Sequence, residues 1–130
     1  MTLWADPELG DLKLQTGRNA FLICPVRGHD IEETRKIVES LELDGWDVHW
    51  PPRDTDQDDE HGFGICCENR SGIIHADYVF VIWDGKSTGC LFDLGMAFAL
   101  HKPIKIISLP ELTNHKSFQN MISVWAGLII

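Results

Sequence analysis

The chain alternates short apolar runs with longer segments whose apolar positions follow a helical spacing. The clearest run, Tyr78–Trp83, is aromatic and β-branched, which is typical of a strand covered on both faces in a parallel sheet. Similar runs predict strands at Ala20–Cys24, Trp46–Trp50 and Ile104–Leu109. Strands that alternate with helices predict an α/β three-layer sandwich around a parallel, flavodoxin/Rossmann-like sheet. Right-handed crossovers favour the strand order 2-1-3-4 and leave a fifth strand open.

Helical patterns lie between these strands. A capping box at Asp30 starts the first helix. The segment Phe63–His75 is a weaker helix because two glycines lower its helix propensity. The segment Cys90–His101 is rich in Ala, Leu, Met and Phe, which predicts a buried helix that Pro103 stops. A last helix is predicted over Ser117–Trp125.

The size of the chain predicts one domain. With 130 residues, 44% of them hydrophobic, it can bury a substantial core. We assign residues 19–130 to this domain and residues 1–18 to an N-terminal arm or tail, because Pro7, Gly10 and Gly17 oppose a regular element there. The apolar end Gly127–Ile130 is expected to pack on the domain or at a subunit interface.

Composition excludes several functions. A net charge of −9 argues against a general nucleic-acid binder, which needs a basic surface. No run approaches the ~18 apolar residues of a membrane span. The first residues do not resemble a signal peptide, and the four cysteines lack a C-x-x-C pair. We therefore expect reduced core cysteines in a cytoplasmic protein, without membrane partners or cofactors.

The acidic run Arg53–Gly62 follows Pro51-Pro52, which are predicted to end the second strand. Five acids in ten residues are typical of a solvated loop. A carboxylate metal site is the alternative, but the acids of this run lack the Gly and terminal Glu positions of a calcium loop. We expect no metal here.

The predicted strand order defines a candidate ligand site. Ligands of such sheets bind at the carboxyl ends of strands where the order reverses, here strands 1 and 3. The loops Pro25–His29 and Asp84–Gly89 are therefore expected to face each other. Arg27 precedes a helix, which suits a phosphate contact, although a surface arginine paired with an acid has the same pattern. Asp93 lies among apolar residues beside the second loop and is a candidate site carboxylate, or an acid favoured by the helix dipole.

The stretch Ala76–Ile107 also carries a family resemblance. It combines an apolar strand, a glycine loop, an acid four residues after Gly89 and the pattern L-G-x-A-x-A-L-x-K-P. In these features, and upstream over Phe21–Gly28, the chain resembles the nucleoside 2-deoxyribosyltransferase family. The nearest branch is the 5'-monophosphate N-glycosidases, which hydrolyse the base from a deoxynucleotide. The resemblance implies cleavage through a sugar cation that a carboxylate captures or stabilises, while a second acid assists proton transfer.

Both carboxylate positions depart from the family pattern. Asp93 stands where the family has a Glu nucleophile, and the loss of one methylene withdraws the carboxylate by ~1.5 Å. Asn69 stands where the glycosidases have the assisting acid, and an amide cannot act as an acid or base near pH 7. The resemblance implies substrate contacts at positions that do match, namely Arg27, Gly28, Ser87 and Gly89.

Other polar residues are candidates for the missing proton transfer. Asp84 and His29 are both expected at the crevice and can replace the lost acid, with His29 otherwise a substrate contact. Asp84 has the alternative of a plain turn residue. We interpret His61 and His75 as surface or core histidines.

Three functions remain open from the sequence. The first is a nucleoside or nucleoside 5'-monophosphate N-glycosidase or deoxyribosyltransferase. The second is a catalytically inactive nucleotide-binding protein, a sensor or a sequestering protein, with the same crevice. The third is an interaction domain with a vestigial pocket. Five tryptophans, the apolar end of the chain and the family's habit of completing its site from a neighbouring subunit predict a homodimer or larger oligomer.

Overall fold

The structure, a computed structural model, describes residues 17–27 and 30–128. Strands and helices alternate in this part of the chain, except that two helices lie between the second and third strands. None of its helices has the length and apolar character that crossing a membrane requires. The elements are β1 (Asn19–Ile23), α1 (Ile31–Leu43), β2 (Asp47–His49), α2 (Pro51–Asp54), α3 (Phe63–His75), β3 (Tyr78–Ile82), α4 (Thr88–Ala99), β4 (Ile104–Ser108) and α5 (Phe118–Trp125).

The strands form one parallel sheet in the order β2-β1-β3-β4. Phe21 of β1 pairs with Val79 of β3 at the centre of the sheet. The predicted α/β fold, the strand order 2-1-3-4 and the adjacency of the first and third strands are thus confirmed. Residues 17–27 and 30–128 contain no fifth strand. The arm predicted for residues 1–18 falls almost entirely outside the described residues, as does the end of the apolar tail.

Both faces of the sheet are buried, as the apolar strands predict. On one face, Phe21 and Val79 belong to a cluster with Ile73 of α3, Leu94 of α4 and Ile122 of α5. The alternate strand residues belong to a second cluster on the opposite face, which includes Leu22, Phe80, Val38 of α1 and Trp50. The result is three layers, with α1 on one side of the sheet and α3, α4 and α5 on the other.

Side-chain caps set the helix starts. Asp30 accepts hydrogen bonds from the N–H groups of Glu32 and Glu33 at 3.0 and 3.3 Å, so the predicted cap of α1 is present. Pro51 and Pro52 do more than end β2, because they form the first turn of α2, where proline lacks no needed donor. Helix α4 begins at Thr88, ahead of the predicted Cys90.

Helix α3 lies unusually close to the sheet at Gly72. A Cβ atom at this position would stand 2.9 Å from Cδ2 of Phe21 and 3.1 Å from Nδ1 of His49. Such distances are shorter than van der Waals contact, so any side chain would push α3 away from β1. The glycine that weakens the helix pattern in the sequence is therefore a packing requirement.

A buried lysine ties the far end of α3 to the chain after α4. The Lys102 ammonium donates to the carbonyl oxygens of Ile74 and Ala76 at 2.7 and 2.9 Å, and its own carbonyl accepts the indole N–H of Trp125 at 3.1 Å. Burial lowers the pKa of Lys102, while the charge of Asp77 acts in the opposite direction. The carbonyls at the helix end offset part of the desolvation cost.

Two glycines inside helices should respond oppositely to alanine. Gly72→Ala is expected to destabilise the fold by about 1–3 kcal/mol, because the methyl group overpacks the α3–β1 contact. Gly95→Ala, on a face of α4 where a Cβ meets nothing within 4 Å, is expected to stabilise it by about 0.5–1 kcal/mol through helix propensity. Urea unfolding followed by tryptophan fluorescence measures both. A gain of stability in both variants would refute the close approach at Gly72.

Candidate functional site

An open cleft of about 650 Å³ lies at the carboxyl ends of β1 and β3. The loops that follow these two strands both line it, as the topology predicts. Arg27 comes from the first loop, and Asp84, Ser87 and Gly89 come from the second. Helix α3 contributes Asn69 and helix α4 contributes Asp93. The predicted site residues that line the cleft are therefore Arg27, Asn69, Asp84, Ser87, Gly89 and Asp93. The predicted contacts Gly28 and His29 lie outside the described residues.

The second loop is a turn closed by Asp84. Its Oδ1 accepts hydrogen bonds from the N–H groups of Ser87 and Lys86, both at 2.8 Å, and these bonds lower the pKa of Asp84. The contacts are those of the turn-residue alternative. A carboxyl whose pKa is lowered is a poor general acid or base near neutral pH, so a catalytic role for Asp84 stays a prediction with little support from its surroundings.

The start of α4 faces the cleft. Ser87 caps the helix, with Oγ accepting the N–H of Cys90 at 3.3 Å, and its carbonyl holds the indole N–H of Trp83 at 3.1 Å. Gly89 leaves the first turn uncovered, since a Cβ there would have Ser87 Oγ at 3.9 Å as its nearest neighbour. Uncapped N–H groups and the helix dipole favour an anion at such a position.

Two cations line this cleft although the chain carries a net charge of −9. Arg27 was predicted from the sequence, whereas Lys86, on the opposite loop, was not. Lys86 lies in the polar glycine loop between Gly85 and Gly89. Its position in this loop was the sequence signal from which it could have been predicted. Together with the α4 terminus, the two side chains give the cleft the charge that a phosphate requires.

Asp93 is a half-buried carboxylate at the cleft. Burial raises the pKa of Asp93 to about 6, and a hydrogen bond from Asn69 acts in the opposite direction. No arginine or lysine contributes to this shift. A carboxyl that titrates near neutral pH beside a cleft has the protonation behaviour expected of a functional group.

Asn69 brings a second element to the same point. It is buried on α3, and its Oδ1 accepts a hydrogen bond from the Thr55 hydroxyl at 2.8 Å. His49 Nε2 lies 2.8 Å from the same hydroxyl, and burial lowers the pKa of His49. The two positions that depart from the family pattern are therefore neighbours in space. His49 and Thr55 were not among the predicted site residues, because they come from separate elements and no local pattern marks them.

The cysteines at the cleft are thiols. Burial raises the pKa of Cys24 to about 12 and that of Cys90 to about 11, and it also raises the pKa of Cys66. A nucleophilic cysteine needs a lowered pKa, so these side chains serve as packing. In the described ranges, no cluster of three histidine, cysteine, aspartate or glutamate side chains could hold a metal ion.

The acidic run is held against the domain. Arg53 pairs with Asp54 at 2.8 Å, and Asp59 Oδ2 accepts the N–H of Ile65 at 2.9 Å. Gln57 from this run and Pro51 before it line the cleft. The run is thus a cleft wall rather than only a solvated loop. His61 and His75 are exposed and do not line the cleft, in agreement with their interpretation.

Comparison with protein families gives one finding. The model for nucleoside 2-deoxyribosyltransferase matches residues 21–121, which include every described strand after the start of β1 and all the cleft residues named above. Comparison with curated proteins and with solved structures gives no significant match.

The two cleft aspartates should have opposite effects on stability. The folded state raises the Asp93 pKa from 3.8 to about 6, so stability is lost as pH rises through that window, by roughly 2–3 kcal/mol. Asp93→Asn should therefore be more stable than the wild type at pH 7–8, and the gain should vanish below about pH 4.

Asp84→Asn is the matched control. The Asp84 pKa is lowered in the folded state, so its stabilisation is present above the unfolded pKa and is lost as pH falls through the folded one. The variant should be less stable than the wild type at pH 7. Thermal unfolding between pH 3.5 and 8 measures both differences. An Asp93→Asn variant that is less stable than the wild type at pH 8 would contradict an ionised, desolvated Asp93 carboxylate.

Proposed function

The chain belongs to the nucleoside 2-deoxyribosyltransferase family, and from this premise we propose that it cleaves the N-glycosidic bond of a nucleoside 5'-monophosphate or a nucleoside. The observation that carries the proposal is Asp93. It is a carboxylate with a pKa near neutral, and it shares a cleft with the cations Arg27 and Lys86. A negative charge for a sugar cation and positive charges for a phosphate are the two features that this substrate needs.

Each described cleft residue then has a role. Arg27, Lys86 and the start of α4 bind the phosphate. Ser87 and Gly89 shape the loop that leads from the phosphate to the sugar. A phosphate contact at Gly28, which lies outside the described residues, stays a prediction from the sequence. Asp93 lies beneath the anomeric carbon.

In the reaction, the bond between the anomeric carbon and the base nitrogen breaks, and its electron pair leaves with the base. The sugar cation that forms is stabilised or captured by the Asp93 carboxylate. Water, or a second base in a transfer reaction, then bonds to the same carbon. Where Asp93 has captured the sugar, its bond to that carbon breaks and the carboxylate is released, and the proton lost by the attacking water or base returns to the group that protonated the leaving base. For protonation of the leaving base, the sequence prediction of His29, which lies outside the described residues, is the candidate we retain. The Asp84 carboxylate already accepts two backbone N–H groups, and the Asn69 amide has no acidic proton to release.

A catalytically inactive nucleotide-binding protein is the second candidate. It is favoured by the shorter carboxylate at position 93 and by the amide at position 69, since misplacement of about 1 Å can cost about 100-fold in rate. Both candidates use the same cleft and the same phosphate contacts, so binding alone does not separate them.

We also propose that two copies of the chain associate through α4 and α5. Phe98 of α4 packs on Trp125 of α5 with ring centroids 5.2 Å apart, yet Phe98 remains 57% exposed. Val124 and Leu128 are exposed on the same part of the chain, and Phe92 is both exposed and part of the cleft. A second copy on this surface would cover the apolar side chains and bring residues of its own towards the cleft.

The proposed reaction is tested by base release. The wild type is incubated with a panel of nucleosides and their 5'-monophosphates, and free base is measured by chromatography. Asp93→Asn keeps the shape of the side chain but removes its charge, so base release should stop while binding remains. Asp93→Glu should slow an enzyme adapted to aspartate, whereas a gain of turnover would favour the inactive-binder candidate.

Binding by calorimetry supplies the control for this test. Arg27→Ala should weaken binding of a 5'-monophosphate by about 1.5–3 kcal/mol and leave nucleoside binding nearly unchanged. Arg70→Ala removes an exposed arginine of α3 that does not line the cleft, and it should change neither. A wild type that binds no nucleotide at millimolar concentration would refute both candidates and leave the interaction-domain hypothesis.

The association is tested by light scattering at micromolar concentration. The wild type should have at least twice the 14.7 kDa mass of one chain. Phe98→Glu places a charge inside the proposed interface and should yield the single-chain mass. Leu43→Glu, at a 90% exposed apolar residue of α1 on the other side of the sheet, should leave the mass unchanged. A wild type of 14.7 kDa would refute the association.

A further inference from the structure

A row of polar side chains leads from the sheet to the carboxylate in the cleft. It begins at His49 on β2, continues through Thr55 after α2 and Asn69 on α3, and ends at Asp93 on α4. His49 Nε2 and Thr55 Oγ1 are 2.8 Å apart, and the Thr55 hydroxyl donates to Asn69 Oδ1 at 2.8 Å. Asn69 and Asp93 line the same cleft, where the Asn69 amide acts on the Asp93 carboxyl as a hydrogen-bond donor that lowers its pKa. Four separate elements thus converge on one side chain.

The direction of the hydrogen bonds along this row is fixed. The ionised Asp93 carboxylate can only accept, so the NH₂ group of Asn69 must face it and Oδ1 must face Thr55. The reverse amide orientation would set two oxygens against each other at Asp93. Oδ1 also only accepts, so the single hydroxyl hydrogen of Thr55 is used there. His49 must then donate its Nε2–H to the Thr55 oxygen.

We propose that His49 and Thr55 are positioning residues that lock the Asn69 amide with its NH₂ group on Asp93, and so hold that carboxylate ionised and aimed at the cleft. The inference deepens the proposed function, on which it rests for the role of Asp93. The row supplies one oriented donor and transfers no proton.

The histidine end of the row is anchored by packing. The His49 ring stacks on Phe21 with centroids 5.1 Å apart and an interplanar angle of 21°, and Gly72 leaves the space that its Nδ1 occupies. Burial lowers the pKa of His49, while Asp54 and Glu68 act in the opposite direction. Nε2 carries a hydrogen in the protonated ring and in the neutral tautomer described above, so the direction of the row does not depend on pH.

The row also accounts for an amide where the glycosidases have an acid. The Asp93 carboxyl is desolvated, and the cleft around it includes the neutral thiols of Cys66 and Cys90. The charged groups Arg27, Lys86 and Asp84 also line this cleft. A second carboxylate at position 69 would raise the pKa of Asp93 further by repulsion. An Asn69 amide whose NH₂ group faces Asp93 lowers the pKa of Asp93 instead. The two departures from the family pattern are therefore compatible with each other.

The test follows the titration of Asp93 itself. The protein is labelled with ¹³C at the aspartate carboxyl carbons, and the Asp93 signal is assigned by its absence from Asp93→Asn. Thr55→Val keeps the side-chain shape but removes the hydroxyl, which frees the amide to rotate. We expect the acid-dissociation constant of Asp93 to fall by about tenfold, the equivalent of one hydrogen bond to a charged group.

Matched variants separate positioning from general damage. Thr55→Ser restores the hydroxyl and should return the Asp93 titration to that of the wild type. His49→Phe removes the donor at the start of the row and should change the titration in the same direction as Thr55→Val, by a smaller amount. His49→Gln, whose amide nitrogen can replace Nε2, should restore it. If Thr55→Val fails to fold, the His49 pair decides the outcome.

Failure of this inference is distinct from failure of the proposed function. A wild-type-like Asp93 titration in folded Thr55→Val and His49→Phe overturns the positioning role, whatever the activity. A titration that shifts as expected supports that role, even in a protein that releases no base, and then only the proposed reaction fails. Where base is released, the acidic limb of the pH–rate profile should move with the Asp93 titration in each variant.

Discussion

The parallel pairing of β1 with β3 is the constraint on which the site depends. The order of the sheet reverses at this pair, so α1 leaves β1 towards one face and α4 leaves β3 towards the other. In the described chain, no helix fills the space between the end of β1 and the end of β3, where α1 and α4 diverge. Arg27 and Ser87, which are remote in sequence, therefore meet across an open cleft. Because both strands are apolar on both faces, a shift in their register would expose core residues, and the position of the two loops is correspondingly secure.

The position of Asp93 in the cleft lowers the folding stability of the domain. Asp93 stands among buried residues of the same helix, such as Cys90 and Leu94, and its shifted pKa records the cost of holding a charge there. The Asn69 amide recovers only part of that cost. Functional groups are commonly retained in such unfavourable surroundings because their reactivity comes from them. The firm core of the sheet is what allows this fold to tolerate the loss.

The fold was predictable from the sequence because its signals are local. The run Tyr78–Trp83 and the Asp30 cap each act within a few residues, and the strand order follows from their succession. The cleft residues Arg27, Ser87 and Asp93 followed from topology and resemblance. The row through His49 and Thr55 was not predictable, since a hydrogen bond between side chains of separate elements leaves no periodic pattern. The short helix α2 was missed because two prolines mark an end of one element as readily as the start of another.

The pairing of an amide with a shortened acid changes what the site can supply. Two carboxylates in contact share one proton and carry a single negative charge. Asn69 and Asp93 carry the same single charge and also present a donor between them, so the electrostatic field beneath a sugar cation is retained. What the pair lacks is the transferable proton. Stabilisation of the cation and protonation of the base, which a pair of acids can combine, are thus divided between this row and another part of the cleft. A substrate whose base leaves readily without a proton would depend least on that second group, and a reluctant leaving base would depend on it most.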